Sequence, residues 1–138
     1  MSLETMSIEE ITETFNFMDD WEDRYRYLIE LGRELPELTS DEMTDDFKVR
    51  GCQSQVWLVP EMKNGKLMLR GNSDAHIVKG LVALMLVIFS GKSPTDILNT
   101  DALSILTSLG LKDHLSPMRA NGLFSMVERI GDIAHAQT

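Results

Sequence analysis

The chain has 138 residues, 43% apolar and 25% charged, with a net charge of −9. That is ordinary globular composition with enough length for one proper core, which excludes disorder. The longest apolar run, Leu81 to Phe89, falls far short of the ~20 residues of a membrane span, and the ten scattered bases after residue 46 make no clustered basic surface for nucleic acid.

The charge is unevenly placed. Residues 1–46 carry fifteen carboxylates against Arg24, Arg26 and Arg33, whereas residues 47–138 carry ten bases against seven acids. The acidic third reads either as a solvated helical face or as a docking surface for a basic partner. No basic start followed by an apolar segment opens the chain, and cysteines are not paired, so a reducing compartment, the cytoplasm, is expected with no membrane contact.

In chain order, Ser7 and Glu10 form a capping box, and Ile8, Ile11 and Phe15 recur at helical spacing, predicting a short helix over residues 8–17. A second helix runs from Trp21 to Arg33 with Trp21, Tyr25, Leu28 and Leu31 on one face, weakened at Gly32 and stopped by Pro36. Leu35 to Asp46 is polar and acidic, and reads as an exposed loop. Strand character follows in Gln53 to Pro60, where Val56-Trp57-Leu58-Val59 lies, and again in Lys66 to Arg70. Asn64-Gly65 between them is a hairpin turn signal. A bare hairpin is marginal, so a third strand over Phe47 to Arg50, or helices packed on one face, must support it.

Gly71-Asn72-Ser73-Asp74 ends the second strand, with Ser73 as N-cap of a helix from near Asp74 to Phe89. Apolar on all sides in its second half, this is the central core helix. Gly80 inside it costs ~1 kcal/mol relative to alanine, which implies close packing against another backbone. Ser93-Pro94 and Asp101 each start a short helix, Gly110 closes the second, and Ser116-Pro117 opens a last helix with a core stripe of Leu123, Met126, Val127, Ile130 and Ala134. The plan is an α+β domain spanning residues 1–138, with a small antiparallel sheet of two or three strands packed against helices.

Cys52 is the sole cysteine. One thiol forms no internal disulfide and holds no metal or cluster by itself, so its chemistry is that of a single nucleophile or carrier; three isolated histidines share no ligand spacing with it, and no metal is expected. A lone cysteine can equally be a small buried hydrophobe. The setting argues otherwise: Gly51 precedes it, Gln-Ser-Gln follows, and Lys48 and Arg50 are placed to lower the thiol pKa. A cysteine hydrolase would also need a base, for which the candidates are His76, His114 and His135. His135 lies in a polar tail, His76 in the first turn of the core helix, and His114 has only Asp113 as an orienting acid.

Three separated motifs agree in content, order and spacing with one family: Val49-x-Gly51-Cys52-Gln53-Ser54-Gln55-Val56-Trp57-Leu58; Gly71-Asn72-Ser73-Asp74-Ala75 with Ile77-Val78-Lys79-Gly80-Leu81; and Leu115-Ser116-Pro117-x-Arg119-x-Asn121-Gly122-Leu123. Over roughly residues 8–134 the chain resembles the SufE family of cysteine desulfurase activators. The resemblance implies the α+β fold shared with cluster scaffolds of the IscU type, which carry three cysteines where this chain has one. It also implies a protein without its own cofactor that accepts persulfide sulfur from a pyridoxal-phosphate-dependent cysteine desulfurase and passes it to an iron-sulfur scaffold or other acceptor. Cys52 matches the acceptor cysteine. Arg119, Asp74 and Lys79 match further motif positions, Arg119 as an orienter of the cysteine loop and Asp74 as a helix cap, with Gly51 and Arg50 flanking the thiol. The family often has a small residue where His76 stands. The competing readings are a free-standing cysteine enzyme with a histidine base, and a docking module that works without the thiol.

Overall fold

The structure, a computed structural model, describes residues 3–138. After a single 3-10 turn at Leu3–Thr5 come helices α1 (Ile8–Phe17) and α2 (Trp21–Arg33), the hairpin β1 (Val56–Lys63) and β2 (Lys66–Ser73), the core helix α3 (His76–Phe89), three short helices α4 (Pro94–Leu98), α5 (Ala102–Ser108) and α6 (Leu111–His114), and the long α7 (Pro117–Ala136). Side-chain oxygens at Ser7, Asp20, Ser93, Asp101 and Ser116 each accept a backbone N–H in the first turn of the helix they precede. These caps satisfy donors that a helix start otherwise leaves open.

The sheet is two-stranded and antiparallel, in register from Val56 opposite Ser73 to Lys63 opposite Lys66. Asn64 and Gly65 turn it with φ of 54° and 78°, the paired positive angles of the tight turn that matches strand twist. The expected third strand is reduced to an isolated bridge between Lys48 and Trp57, made by Val49 N donating to the Val56 carbonyl at 2.8 Å and Leu58 N to the Phe47 carbonyl at 2.9 Å. The free edge of β2 is closed by the chain after α3: Leu67 exchanges backbone bonds with Gly91 and Lys92, and Leu69 N donates to the Ser90 hydroxyl.

Val56, Leu58, Leu67 and Leu69 point from the sheet into the main core with α3, α2 and α7. The reverse face is covered as well. Leu38 from the acidic segment packs with Trp57 and Val59, and Phe47 joins them. Glu42 accepts a bidentate pair of hydrogen bonds from Arg70 of β2 and a further one from Thr39 N at 3.1 Å. Residues 35–46 form the largely exposed loop that their polarity predicts, and one leucine and one ion pair strap it across the sheet.

Helices α2 and α3 cross at their glycines. A Cβ on Gly80 would stand 2.2 Å from the Leu28 carbonyl oxygen, and one on Gly32 would stand 2.8 Å from Gly80 N. The interior glycine that helix propensity disfavours is required by this backbone approach. Lys79 flanks the same crossing.

Candidate functional site

Cys52 lies in the loop Arg50–Gln55, whose neck is closed by the bond between Val49 N and the Val56 carbonyl. Its exit is pinned to the end of β2. Gln55 N donates to the Asp74 carboxylate at 3.0 Å, while the Gln55 carbonyl accepts the Ser73 hydroxyl at 2.7 Å and Asp74 N at 3.3 Å. This corrects two expectations. Ser73 belongs to β2, which runs three residues past Arg70, and α3 starts at His76 with Ala75 as a cap residue that has no side-chain bond. Asp74, rather than capping a helix, fastens the cysteine loop.

The loop rests on α7. Gly51 has φ +91°, and a Cβ there would come 2.5 Å from the Ser125 hydroxyl oxygen. Glycine is needed for both the conformation and the contact. Beyond it the half-buried Cys52 thiol donates to the Gly122 carbonyl, Sγ to O 3.5 Å, and a Cβ on Gly122 would stand in ordinary contact with the sulfur at 3.5 Å. Sulfur and glycine face a cavity of about 100 Å³ with Ile77, Val78 and Leu81 of α3 and Met126 of α7 as apolar walls, and Met118 and Arg119 at its rim. Burial pushes the thiol pKa above its ordinary value.

The expected acidification by Lys48 and Arg50 is not found. Both side chains line a separate cleft of about 280 Å³ with Asp45, Asp46, Glu128, Arg129 and Asp132. That cleft is mostly acidic, and Gly51, at φ +91°, stands between Arg50 and Cys52. Neither Arg50 nor Lys79 is brought to the sulfur. Arg119 is: it is exposed at the cavity rim, its backbone N is used by the Ser116 cap, and among the described residues its guanidinium has no hydrogen-bond or ion-pair partner.

No histidine lines the cavity. His76 is exposed at the first residue of α3, and His135 is exposed in the last turn of α7. His114 is engaged elsewhere: its ring stacks on Trp21 with centroids 4.1 Å apart, and its Nδ1 lies 2.9 Å from the Gly110 carbonyl. Sequence reasoning placed Gly122 in a motif without a role and passed over Ser125. No local signal marks either: a Cβ on Gly122 would meet the sulfur at 3.5 Å, an ordinary contact.

Residues 9–134 match the SufE family model, described as an Fe-S metabolism associated domain. The chain is 52% identical over 128 residues to an uncharacterised SufE-like protein of Rhizobium meliloti, covering 90% of this chain and 91% of that one. A second uncharacterised SufE-like protein, of Rhizobium etli, is 50% identical over 132 residues, covering 93% and 89%. The solution structure of a hypothetical protein from Thermus thermophilus has the same fold, with a TM-score of 0.75 at 22% identity over 95% of this chain and 97% of that one.

Proposed function

The chain belongs to the SufE family, and from that premise we propose that Cys52 accepts persulfide sulfur from a pyridoxal-phosphate-dependent cysteine desulfurase, activates that enzyme by unloading it, and relays the sulfur to a scaffold or other acceptor for iron-sulfur cluster assembly. Residues 1–138 act as one domain in this reading, in the reducing cytoplasm. The observation that carries it is a lone thiol seated at a cavity with apolar walls from α3 and α7, Gln53, Ser54 and Arg119 as its polar lining, and no histidine among the described residues that line it.

A cysteine enzyme working by itself would need a base within about 2.6–3.2 Å of its nucleophile. Here burial raises the pKa of the resting thiol and so disfavours its thiolate. Activation then comes from outside: docking draws the loop Arg50–Gln55 toward water, the burial penalty lifts, and the thiolate fraction rises. The Cys52 thiolate attacks the outer sulfur of the desulfurase persulfide. One sulfur–sulfur bond forms as another breaks, and the desulfurase cysteine leaves as a thiolate with the electron pair, so no oxidant is consumed. Delivery to the acceptor repeats the exchange.

The cavity suits the product. One added sulfur atom is on the scale of the ~30 Å³ that a water takes in the liquid, and the apolar walls would keep the new persulfide from small thiols and oxidants. Gly51 serves as the hinge of the loop and Asp74 as the fastener of its exit. Arg119, with a free guanidinium at the rim, would meet the developing thiolate or the docking enzyme. The test is desulfurase turnover under a mild reductant. Wild type should accelerate sulfide release, and Cys52→Ser should not, because an alcohol holds no stable persulfide. Equal stimulation by the serine variant would leave docking as the whole function.

A further inference from the structure

We propose that His114 is a positioning residue whose stack on Trp21 holds the outer wall of the cysteine cavity closed over Cys52. The proposal rests on the reading of Cys52 as acceptor for its consequence, and on geometry alone for its substance.

Two residues beyond His114 stands Ser116, the N-cap of α7, and the next turn carries Met118 and Arg119 at the rim of the cavity. Neither rim side chain is fixed by partners of its own. Met118 is 54% exposed, and the Arg119 guanidinium has no hydrogen bond or ion pair among the described residues. The rim is located by α7, which the buried Ala120, Leu123 and Met126 hold in the core, and by the corner between α6 and α7 from which its first turn starts. Leu111 and Leu115 anchor that corner in the core, which sets its depth.

Its tilt is set by a second group of contacts with the start of α2. The His114 ring lies nearly parallel to the Trp21 indole, at 12° and 4.1 Å. The Tyr25 hydroxyl donates to the His114 carbonyl. Trp21 is itself held, by Tyr25 at 5.6 Å and by the Arg24 guanidinium 5.0 Å from its ring centroid. Gly110 completes the latch: its φ of +76° turns the chain into α6, and a Cβ there would stand 2.9 Å from the indole. None of these groups touches the cavity, yet they hold the short lever that ends in Met118 and Arg119. Releasing them should let the rim move outward and uncover the sulfur while the core stays packed.

The experiment is the alkylation rate of Cys52 by iodoacetamide at fixed pH, with thermal unfolding of each variant alongside. His114→Ala should raise the rate roughly three- to tenfold, the scale of the aromatic stack taken alone. His114→Phe, which keeps a stacking ring, should return close to the wild-type rate. A merely structural role predicts lower stability with no such rescue of reactivity. Should His114→Ala fail to fold, Tyr25→Phe decides the matter, with a smaller rise expected from loss of the hydroxyl alone. A wild-type rate in His114→Ala, equal rates in the alanine and phenylalanine variants, or a wild-type rate in Tyr25→Phe where that variant decides would each overturn the proposal. Because no desulfurase is present, failure here is distinct from failure of wild type to take up sulfur, which would strike the relay reading instead.

Discussion

Gly51→Ala probes the seat of the sulfur most sharply. The residue lies at φ +91°, and the new methyl would stand 2.5 Å from the Ser125 oxygen and 3.3 Å from the Ser125 Cβ. Holding a non-glycine residue in such a region costs of order 1–3 kcal/mol. The collision adds less, because a serine hydroxyl can rotate away, and a forced rotamer costs of order 0.5–1.5 kcal/mol. The loop is at the surface and has an escape: it can leave α7, give up the 3.5 Å contact of Cys52 with the Gly122 carbonyl, and relax. Urea unfolding should therefore show a loss of about 1–3 kcal/mol, accompanied by faster alkylation of Cys52 than in wild type. Adding Ser125→Gly should recover no more than the rotamer part. Wild-type stability together with a wild-type alkylation rate would refute the claim that Gly51 seats the sulfur.

Three further outcomes follow from named contacts. Gly80→Ala should destabilise by about 2 kcal/mol or more even though alanine favours a helix by ~1 kcal/mol, because the carbonyl it meets belongs to the α2 backbone and cannot turn aside; a raised urea midpoint would contradict this. Glu42 is held at a pKa of about 2 by Arg70 and by Thr39 N, below the ordinary ~4.3 of a glutamate. Its contribution is thus present above the ordinary value and disappears as pH falls through about 2. Glu42→Gln should be less stable than wild type at pH 5 and lose that deficit near pH 2, and a deficit independent of pH would mean that the pair does not titrate as its geometry requires. Burial raises the resting Cys52 pKa, so alkylation of the folded protein should have its pH midpoint above the ordinary ~8.5 of a thiol and return to it in urea; a midpoint below that value in the folded state would restore acidification by Lys48 and Arg50.

Much of the fold was legible because local chemistry decides it. Each helix start with a Ser or Asp oxygen at the cap position is where the structure begins that helix, and Asn64-Gly65 turns the hairpin as its dipeptide demands. Ser73 misled for the same reason: it has cap chemistry, and its oxygen does accept from Ala75 N, but β2 runs on to Ser73, whose hydroxyl donates to the Gln55 carbonyl across the sheet, and α3 starts only at His76. Leu38 shows a second limit. A single apolar residue in an acidic segment carries no periodicity, yet it buries against Trp57 and Val59 and holds that segment down.

At the site, Cys52 stood out by being alone and by its polar setting, and Gly51 by preceding it. Adjacency in sequence failed for Arg50: a left-handed glycine stands between it and Cys52, and the two side chains line different cavities. Gly122 and Ser125 are about seventy residues from the cysteine loop that rests on them, and nothing in a linear pattern reports that pairing. The raised thiol pKa was hidden for the same reason, since the walls that bury Cys52 come from α3 and α7.

The most direct measurement is the intact mass of this protein after incubation with a pyridoxal-phosphate-dependent cysteine desulfurase and free cysteine. The account predicts an adduct of one sulfur atom, located on Cys52 by peptide mapping, discharged by a reductant and absent from Cys52→Ser. An unchanged mass while the desulfurase itself carries a persulfide, or an adduct that persists in the serine variant, would contradict the assignment of Cys52 as the sulfur acceptor.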